Sequence, residues 1–402
     1  MICGSFFYEV NVMQNYWQET LVFARDFRRA LHTQPELAWQ ETNTAQRIRQ
    51  ELTALDIPWR ACAETGTLAT LAGSKSGKHI ALRGDIDALA IFEKSNVEWA
   101  SQYEGKMHAC GHDGHTAALL ASARWLKHNE SLLERPVSLI FQPAEEGGHG
   151  AKRMIEEGAL DGIDEIYGWH NWPAIKYGEM VCPDGVVMCG NGTFTIHLTG
   201  IGGHASQPEI CADPVLAAAA ITLNLQQIVS RRCAPQSPVV VSVTNVQATS
   251  GLTVIPESAI LSGSIRVPDK KTKQQVNEWI EQISIDTART YGVECRVEIQ
   301  PRYNATINHA EQAATARQAW CSVFGKQTLA DDIALPIMAS EDFSYYLEKI
   351  PGAFALIGAD DGENHHHPCH SPYYDFNDQL LEKVVRWYAR LAGVKTPNLE
   401  SK

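Results

Sequence analysis

A chain of 402 residues is too long for one ordinary hydrophobic core, so two domains are expected. With 44% hydrophobic and 20% charged residues it has a globular composition, and a formal charge of −13 without a Lys/Arg cluster argues against nucleic acid or anionic membrane as partners. No apolar run approaches the roughly 18 residues that would span a bilayer.

The first residues, MICGSFFYEVNVM, lack a basic region and a small-residue cleavage site, so no signal peptide is predicted and residues 1–12 read as an extension or arm. Trp17, Leu21, Ala24, Phe27 and Leu31 recur at helical spacing and predict a helix that begins soon after Met13 and is ended by Pro35. A second helix is predicted at 42–55, strands at 68–73 and 79–87, an Ala- and Leu-rich helix at 112–127, and strands at 137–142 and 165–170. Strands alternating with helices point to an α/β domain with a largely parallel or mixed sheet.

From about residue 183 the pattern changes. Residues 194–200 alternate like a half-exposed strand. A helix then starts at Asp213–Pro214 with an Asp cap and a Pro in its first turn, and Ala218, Ile221, Leu225 and Ile228 make its buried stripe. Strands at 238–247 and 259–267, a polar helix at 269–291 and a strand at 293–299 complete a β-α-β-β-α-β order, which is ferredoxin-like. The expected organisation is a second domain at 186–297 inserted into a first made of 1–185 and 298–402. In the latter part, helices at 309–324, 341–348 and 377–392 accompany a core strand at 353–358.

Four polar clusters fall at strand ends or helix starts of the first domain: HACGHDGH (108–115), QPAEEGGHG (142–150), GWHNWP (168–173) and HHHPCHSP (365–372). Ionisable groups in such places are costly to bury unless they are paired or bind metal. Taken singly, each has a plain alternative: a structural Cys with a capping His, a solvated acidic turn, a hydrogen-bonded His. Together, with Cys, His and Glu donors, they are better explained by a metal site. Cys110 and His112, two residues apart at a helix entry, could reach one centre, and the helix N-terminus should lower the thiol's pKa. His108 and His115 are further candidates, His115 one turn on and assigned to packing or support. Glu145 and Glu146 are adjacent carboxylates that would repel in a dry pocket, a conflict resolved if one binds metal and the other carries a proton. The run His365–His367 cannot all face one ion and reads as a solvated patch. Ten cysteines (3, 62, 110, 182, 189, 211, 233, 295, 321, 369) with no CxxC pair predict reduced thiols and a cytoplasmic protein.

The ordered set ALRGDIDAL (81–89), HACGHDGHT (108–116), FQPAEEGG (141–148), GWHNWP (168–173), GIGGHAS (200–206), ASEDFSYY (339–346) and HSPYYDFND (370–378) resembles the dinuclear metallohydrolases of the aminoacylase and carboxypeptidase G type. Within them it is most similar to the branch of hippurate hydrolases, N-acyl-amino-acid amidohydrolases and auxin-conjugate hydrolases. The resemblance runs over nearly the whole chain from about residue 17. It implies an α/β/α metallopeptidase-like catalytic domain with an inserted lid and dimerisation domain. It also implies two divalent ions (zinc, or manganese, cobalt or nickel) on Cys110, His112, Glu146, His170 and His370, with Cys110 bridging. Glu145 takes the role of general base and Asp85 that of an orienting acid. Arg83 stands where the carboxypeptidase relatives have a His, for which His112 would substitute. His204 matches a residue that polarises the scissile carbonyl across a homodimer, and Asn245 and Arg266 match contacts to the acyl oxygen and the free α-carboxylate. The implied reaction is hydrolysis of N-acyl amino acids. A dipeptidase on the same site, a non-catalytic binder and a Cys110 nucleophile are the alternatives. His149 and Cys369 depart from the family pattern.

Overall fold

The computed structural model describes residues 2–398, with side chains from Met13, so Cys3 and the side chains of the predicted arm lie outside the described residues. In chain order the first stretch contains α1 (Ile2–His32), α2 (Thr42–Ala54), β1 (Trp59–Ala61), β2 (Thr67–Leu71), β3 (Ile80–Asp85), α3 (His112–His128), β4 (Val137–Gln142), α4 (Gly150–Glu156), β5 (Glu165–Lys176) and β6 (Met180–Val181). Helix α1 thus begins well before Met13. The middle stretch contains β7 (Gly185–Met188), β8 (Gly190–Thr199), β9 (Gly203–His204), α5 (Pro214–Leu225), β10 (Val240–Gln247), β11 (Val254–Ile255), β12 (Ser258–Val267), α6 (Lys270–Thr290) and β13 (Glu294–Pro301). The chain returns through β14 (Thr306–Asn308), α7 (Ala310–Phe324), α8 (Ser344–Leu347), β15 (Gly352–Asp360) and α9 (Gln379–Leu391).

Two compact units result. The first runs up to Gly185, then takes Ile307–Ile333 and everything from Tyr345; the second is Val186–Thr306 with Ala334–Ser344. In the first unit a seven-stranded sheet has the order β1-β2-β4-β3-β5-β15-β6. Its four central strands, β4, β3, β5 and β15, are mutually parallel, and the outer pairings are antiparallel. All residues of β3 and β4 are buried, as expected of parallel strands covered on both faces. Helix α3 packs on β3 and against α1 and α9. Its Trp125 meets Trp17 of α1 edge-on at 5.0 Å, and both rings are fully buried.

In the second unit the sheet order is β10-β12-β8-β13 with every neighbour antiparallel, the ferredoxin-like arrangement. Burial alternates along β8 and β12, so one face is apolar; Phe194, Ile196, Leu198, Leu261 and Ile265 form a core there with Ile221 and Leu225 of α5 and Val276 and Ile280 of α6. Both helices start on an aspartate cap: Asp213 accepts from the Val215 N–H, and Asp269 from the Thr272 N–H. Among the described residues no helix is long and apolar enough to cross a membrane.

Candidate metal centre

The carboxyl ends of parallel strands are where an open sheet builds its site, because the connections leaving neighbouring strands diverge there. Asp85 ends β3 and Asp87 follows two residues later, while Glu145 and Glu146 follow β4. His370 lies in the loop after β15. His170 lies inside β5 rather than after it, because pairing with β15 continues beyond it to Lys176. Cys110 and His112 sit at the start of α3, joined by Gly111 at a φ of 91°. A side chain at Gly111 would run into Asn171 Nδ2 and Tyr374 Oη, so the tight entry that turns both donors inward needs glycine.

These segments converge. The donor atoms of Cys110, His112 and His170 all lie within 4.8 Å of one another, and so do those of Cys110, Glu146 and His370, and those of His112, Glu145 and Glu146. Cys110 Sγ is 3.3 Å from His170 Nε2, and His370 Nε2 is 2.9 Å from Glu146 Oε1. Two donor sets therefore share one sulfur, which is the arrangement a bridging thiolate between two ions requires.

The outward nitrogens of the histidines are spoken for, and this aims the inner ones. His112 Nδ1 faces the backbone oxygen of Asp87 at 3.0 Å and its carboxylate at 3.1 Å, leaving Nε2 buried with no hydrogen-bond partner. A buried ring nitrogen without a partner is rare and fits a metal ligand. His170 Nδ1 is 2.6 Å from the Asn171 oxygen, which turns Nε2 towards Cys110. His115 is different. Its Nδ1 is 2.6 Å from Asp85 Oδ1 and its Nε2 accepts from the Asn171 N–H at 3.2 Å, so both nitrogens are engaged in support.

Electrostatically the pocket invites cations. Burial by itself would lower the His112 pKa, yet Asp85, Asp87 and Glu146 raise it to about 10. Burial, with His115 and His112 adding to it, holds His170 well below the usual range, so it stays neutral. Against the lowering expected from the helix N-terminus and a bound metal, a hydrogen bond with Cys369, burial and the charges of Glu146 and Glu145 push the Cys110 thiol well up. In the protein's own field the thiolate is disfavoured, and a divalent ion held by these donors would reverse that sign. The described residues thus form a candidate dinuclear metal site.

The sequence motifs give no role to Asp87, yet it holds His112 and also accepts from the Glu146 N–H at 2.9 Å. Asp85, expected to orient the centre, pairs with Arg83 and His115, and its Oδ2 lies 3.7 Å from His112 Nε2. Arg83 also donates to Gln142 at 2.8 Å. Spacing alone could flag the DID sequence but could not say which aspartate faces which histidine. His108 is buried with neither ring nitrogen hydrogen-bonded, belongs to none of the donor groups, and is pushed down to about 3 by burial. His365 lies between Asp361 at 2.6 Å and Asp375 at 3.7 Å and belongs to none of the donor groups. Of the two departures, His149 Nδ1 meets Tyr345 Oη at 2.8 Å, and the Cys369 thiol lies 3.9 Å from the Cys110 backbone oxygen.

The remaining predicted residues belong to the second unit. His204 is exposed on β9, its Nδ1 2.7 Å from Ser206 Oγ. Asn245 is exposed on β10 opposite Ser262, next to a bulge, and Arg266 is half-buried on β12 opposite Val240, near the other end of that strand pair. Arg266 donates to Ser264 Oγ at 2.9 Å.

Known proteins resemble this chain over most of its length. The profile described as peptidase family M20/M25/M40 matches residues 81–393. The chain is 37% identical over 370 residues to IAA-amino acid hydrolase ILR1-like 2 of Arabidopsis thaliana, covering 91% of this chain and 83% of that one. It is 36% identical over 379 residues to N-acetylcysteine deacetylase of Bacillus subtilis, covering 92% and 96%. Among solved structures, a dinuclear metal binding peptidase from the M20 family of Bacillus subtilis superposes with a TM-score of 0.81 at 32% identity, over 93% of this chain and 98% of that one.

Proposed function

The chain belongs to peptidase family M20/M25/M40, and from that premise we propose that it is a metal-dependent amidohydrolase converting N-acyl amino acids to a carboxylic acid and a free amino acid. The observation that carries this reading is the pair of donor sets sharing Cys110, with the Glu145 carboxylate beside them. Two divalent ions held by Cys110, His112, Glu146, His170 and His370 would supply Lewis-acid polarisation of the amide carbonyl and a lowered water pKa.

The chain's own groups do the rest. Glu145 is buried at the centre, within reach of His112 and Glu146 donor atoms. It accepts the proton of the attacking water and delivers it to the leaving nitrogen. Glu146, held by His370, stays a ligand, so the two adjacent carboxylates divide the work. Asp87 and the Asn171 backbone oxygen fix the tautomers of His112 and His170. In the second unit, His204 is assigned to the carbonyl oxygen across a homodimer, Asn245 to the acyl oxygen and Arg266 to the α-carboxylate. Exposure of the first two and the guanidinium of the third support those roles. The described cysteines are all free, which supports a reducing compartment such as the cytoplasm.

The test is Glu145→Gln. It should retain bound metal and lose about 10²- to 10⁴-fold in kcat; a folded, metal-loaded variant with near-native kcat would sink the assignment. Because one structural relative is a peptidase, dipeptides belong beside N-acetyl and N-benzoyl amino acids in the substrate panel. A higher kcat/KM for dipeptides would favour peptidase activity.

A further inference from the structure

Glu41 precedes α2, is completely buried, and has no part in the reaction as described. One carboxylate oxygen accepts from the Ala144 peptide N–H at 2.9 Å, and the other accepts from Thr65 Oγ1 at 2.7 Å. Asp87 makes the matching contact two residues along, accepting from the Glu146 N–H at 2.9 Å. Two buried carboxylates thus grip the Pro143–Ala144 and Glu145–Glu146 peptide groups, one before and one after Glu145.

The backbone they grip is tightly wound. Ala144 and His149 lie in the left-handed region at φ of 52° and 59°, and Gly147 at 80°. For a residue with a Cβ this conformation is strained, so the loop persists only where surrounding contacts hold it. Inside the loop, the Gly147 N–H donates to the Glu145 oxygen at 2.7 Å and the Gly150 N–H to the Ala144 oxygen at 3.1 Å. Glu41 is the outside acceptor at its first residue. Keeping a carboxylate there is unfavourable, since burial and then the charge of Asp87 push Glu41 up to about 7.

We infer that Glu41 is a positioning residue: with Asp87 it clamps the Glu145 loop at Ala144 and Glu146 and so sets where the Glu145 carboxylate stands. This rests on Glu145 being the base. A misplacement of about 1 Å at such a group is enough to cost on the order of 10²-fold in rate.

The experiment compares full-length, metal-loaded variants on an N-acetyl amino acid. Glu41→Gln keeps an acceptor for the Ala144 N–H and should stay within about threefold of wild-type kcat, whereas Glu41→Ala should lose about 10- to 100-fold with KM within about twofold. Metal content should match wild type in both. Amide hydrogen exchange across residues 143–150 should speed up in Glu41→Ala but not in Glu41→Gln. If Glu41→Ala does not fold, Glu41→Asp, one methylene shorter, is judged by the Glu41→Ala criteria. Wild-type kcat in Glu41→Ala, equal impairment of Glu41→Gln, or metal loss in step with activity each overturns the inference. A wild type without amide hydrolysis overturns the amidohydrolase reading and this one with it. An active, chelator-sensitive wild type beside an unaffected Glu41→Ala overturns this one alone.

Discussion

Asp87 does two jobs with one carboxylate, holding the ring of His112 and the peptide of Glu146. Outer partners of this kind orient ligands, so Asp87→Ala should weaken metal binding by about 10- to 100-fold, as measured by chelator competition. An unchanged affinity would mean that the centre is held by its ligands alone. Gly111→Ala should be worse than its size suggests, because the new methyl meets Asn171 and Tyr374 and the backbone sits at a φ of 91°. Such a change should displace Cys110 and lower metal content, which elemental analysis would read. At this scale the candidate donors were legible as types, since thiolate, imidazole and carboxylate groups clustered after apolar strands are costly to bury unless a cation draws them together. Which of Asp85 and Asp87 serves His112 was not legible, because the two differ only in where the chain turns after β3.

At the scale of elements, α3 carries the proposed ligand His112 at its first residue, with Cys110 just before its cap, and α1 holds that turn in place. Arg28 of α1 is fully buried and pairs with Asp113 at 2.8 Å and with Asp375 at 2.9 Å, while His32 reaches Asp113 at 2.8 Å. Removing one partner of a buried ion pair leaves a charge unpaired, so Arg28→Ala should destabilise by about 3–5 kcal/mol in denaturant unfolding. Arg29, partly exposed and stacked 3.5 Å from the Trp99 ring centre, is the natural control and should cost less. A loss no larger than that of Arg29→Ala would show the pair to be dispensable. Composition located α3 and α6, and periodicity located α1 and α5 because an amphipathic stripe is written locally. It could not end β5, whose length is decided by pairing with β15 far along the chain, and it overextended α8, which is only Ser344–Leu347.

For the whole molecule, a ligand that binds only the folded state raises stability by mass action. Two ions in the first unit should do so, each with about 2.7 kcal/mol at a free concentration 100 times its Kd. Chelation should therefore abolish turnover and lower the melting temperature, and adding zinc or manganese back should restore both. Full activity after exhaustive chelation would leave the Cys110 nucleophile as the better account. Segment Ala334–Ser344 illustrates a different limit: it belongs to the second unit although the chain has already returned to the first. Nothing in its local pattern announces that.

The class, the order of elements and the ferredoxin-like insertion could be read from the chain, because hydrophobic period, caps and breakers act over a few residues. The ordered motifs likewise named the family and its donor types. The folded structure alone decided which nitrogen of His112 and of His170 faces inward, which groups surround the Cys110 thiol, and that Glu41 and Asp87 grip the loop of Glu145. Those outcomes depend on groups brought together from distant positions, and on burial, which no local pattern records.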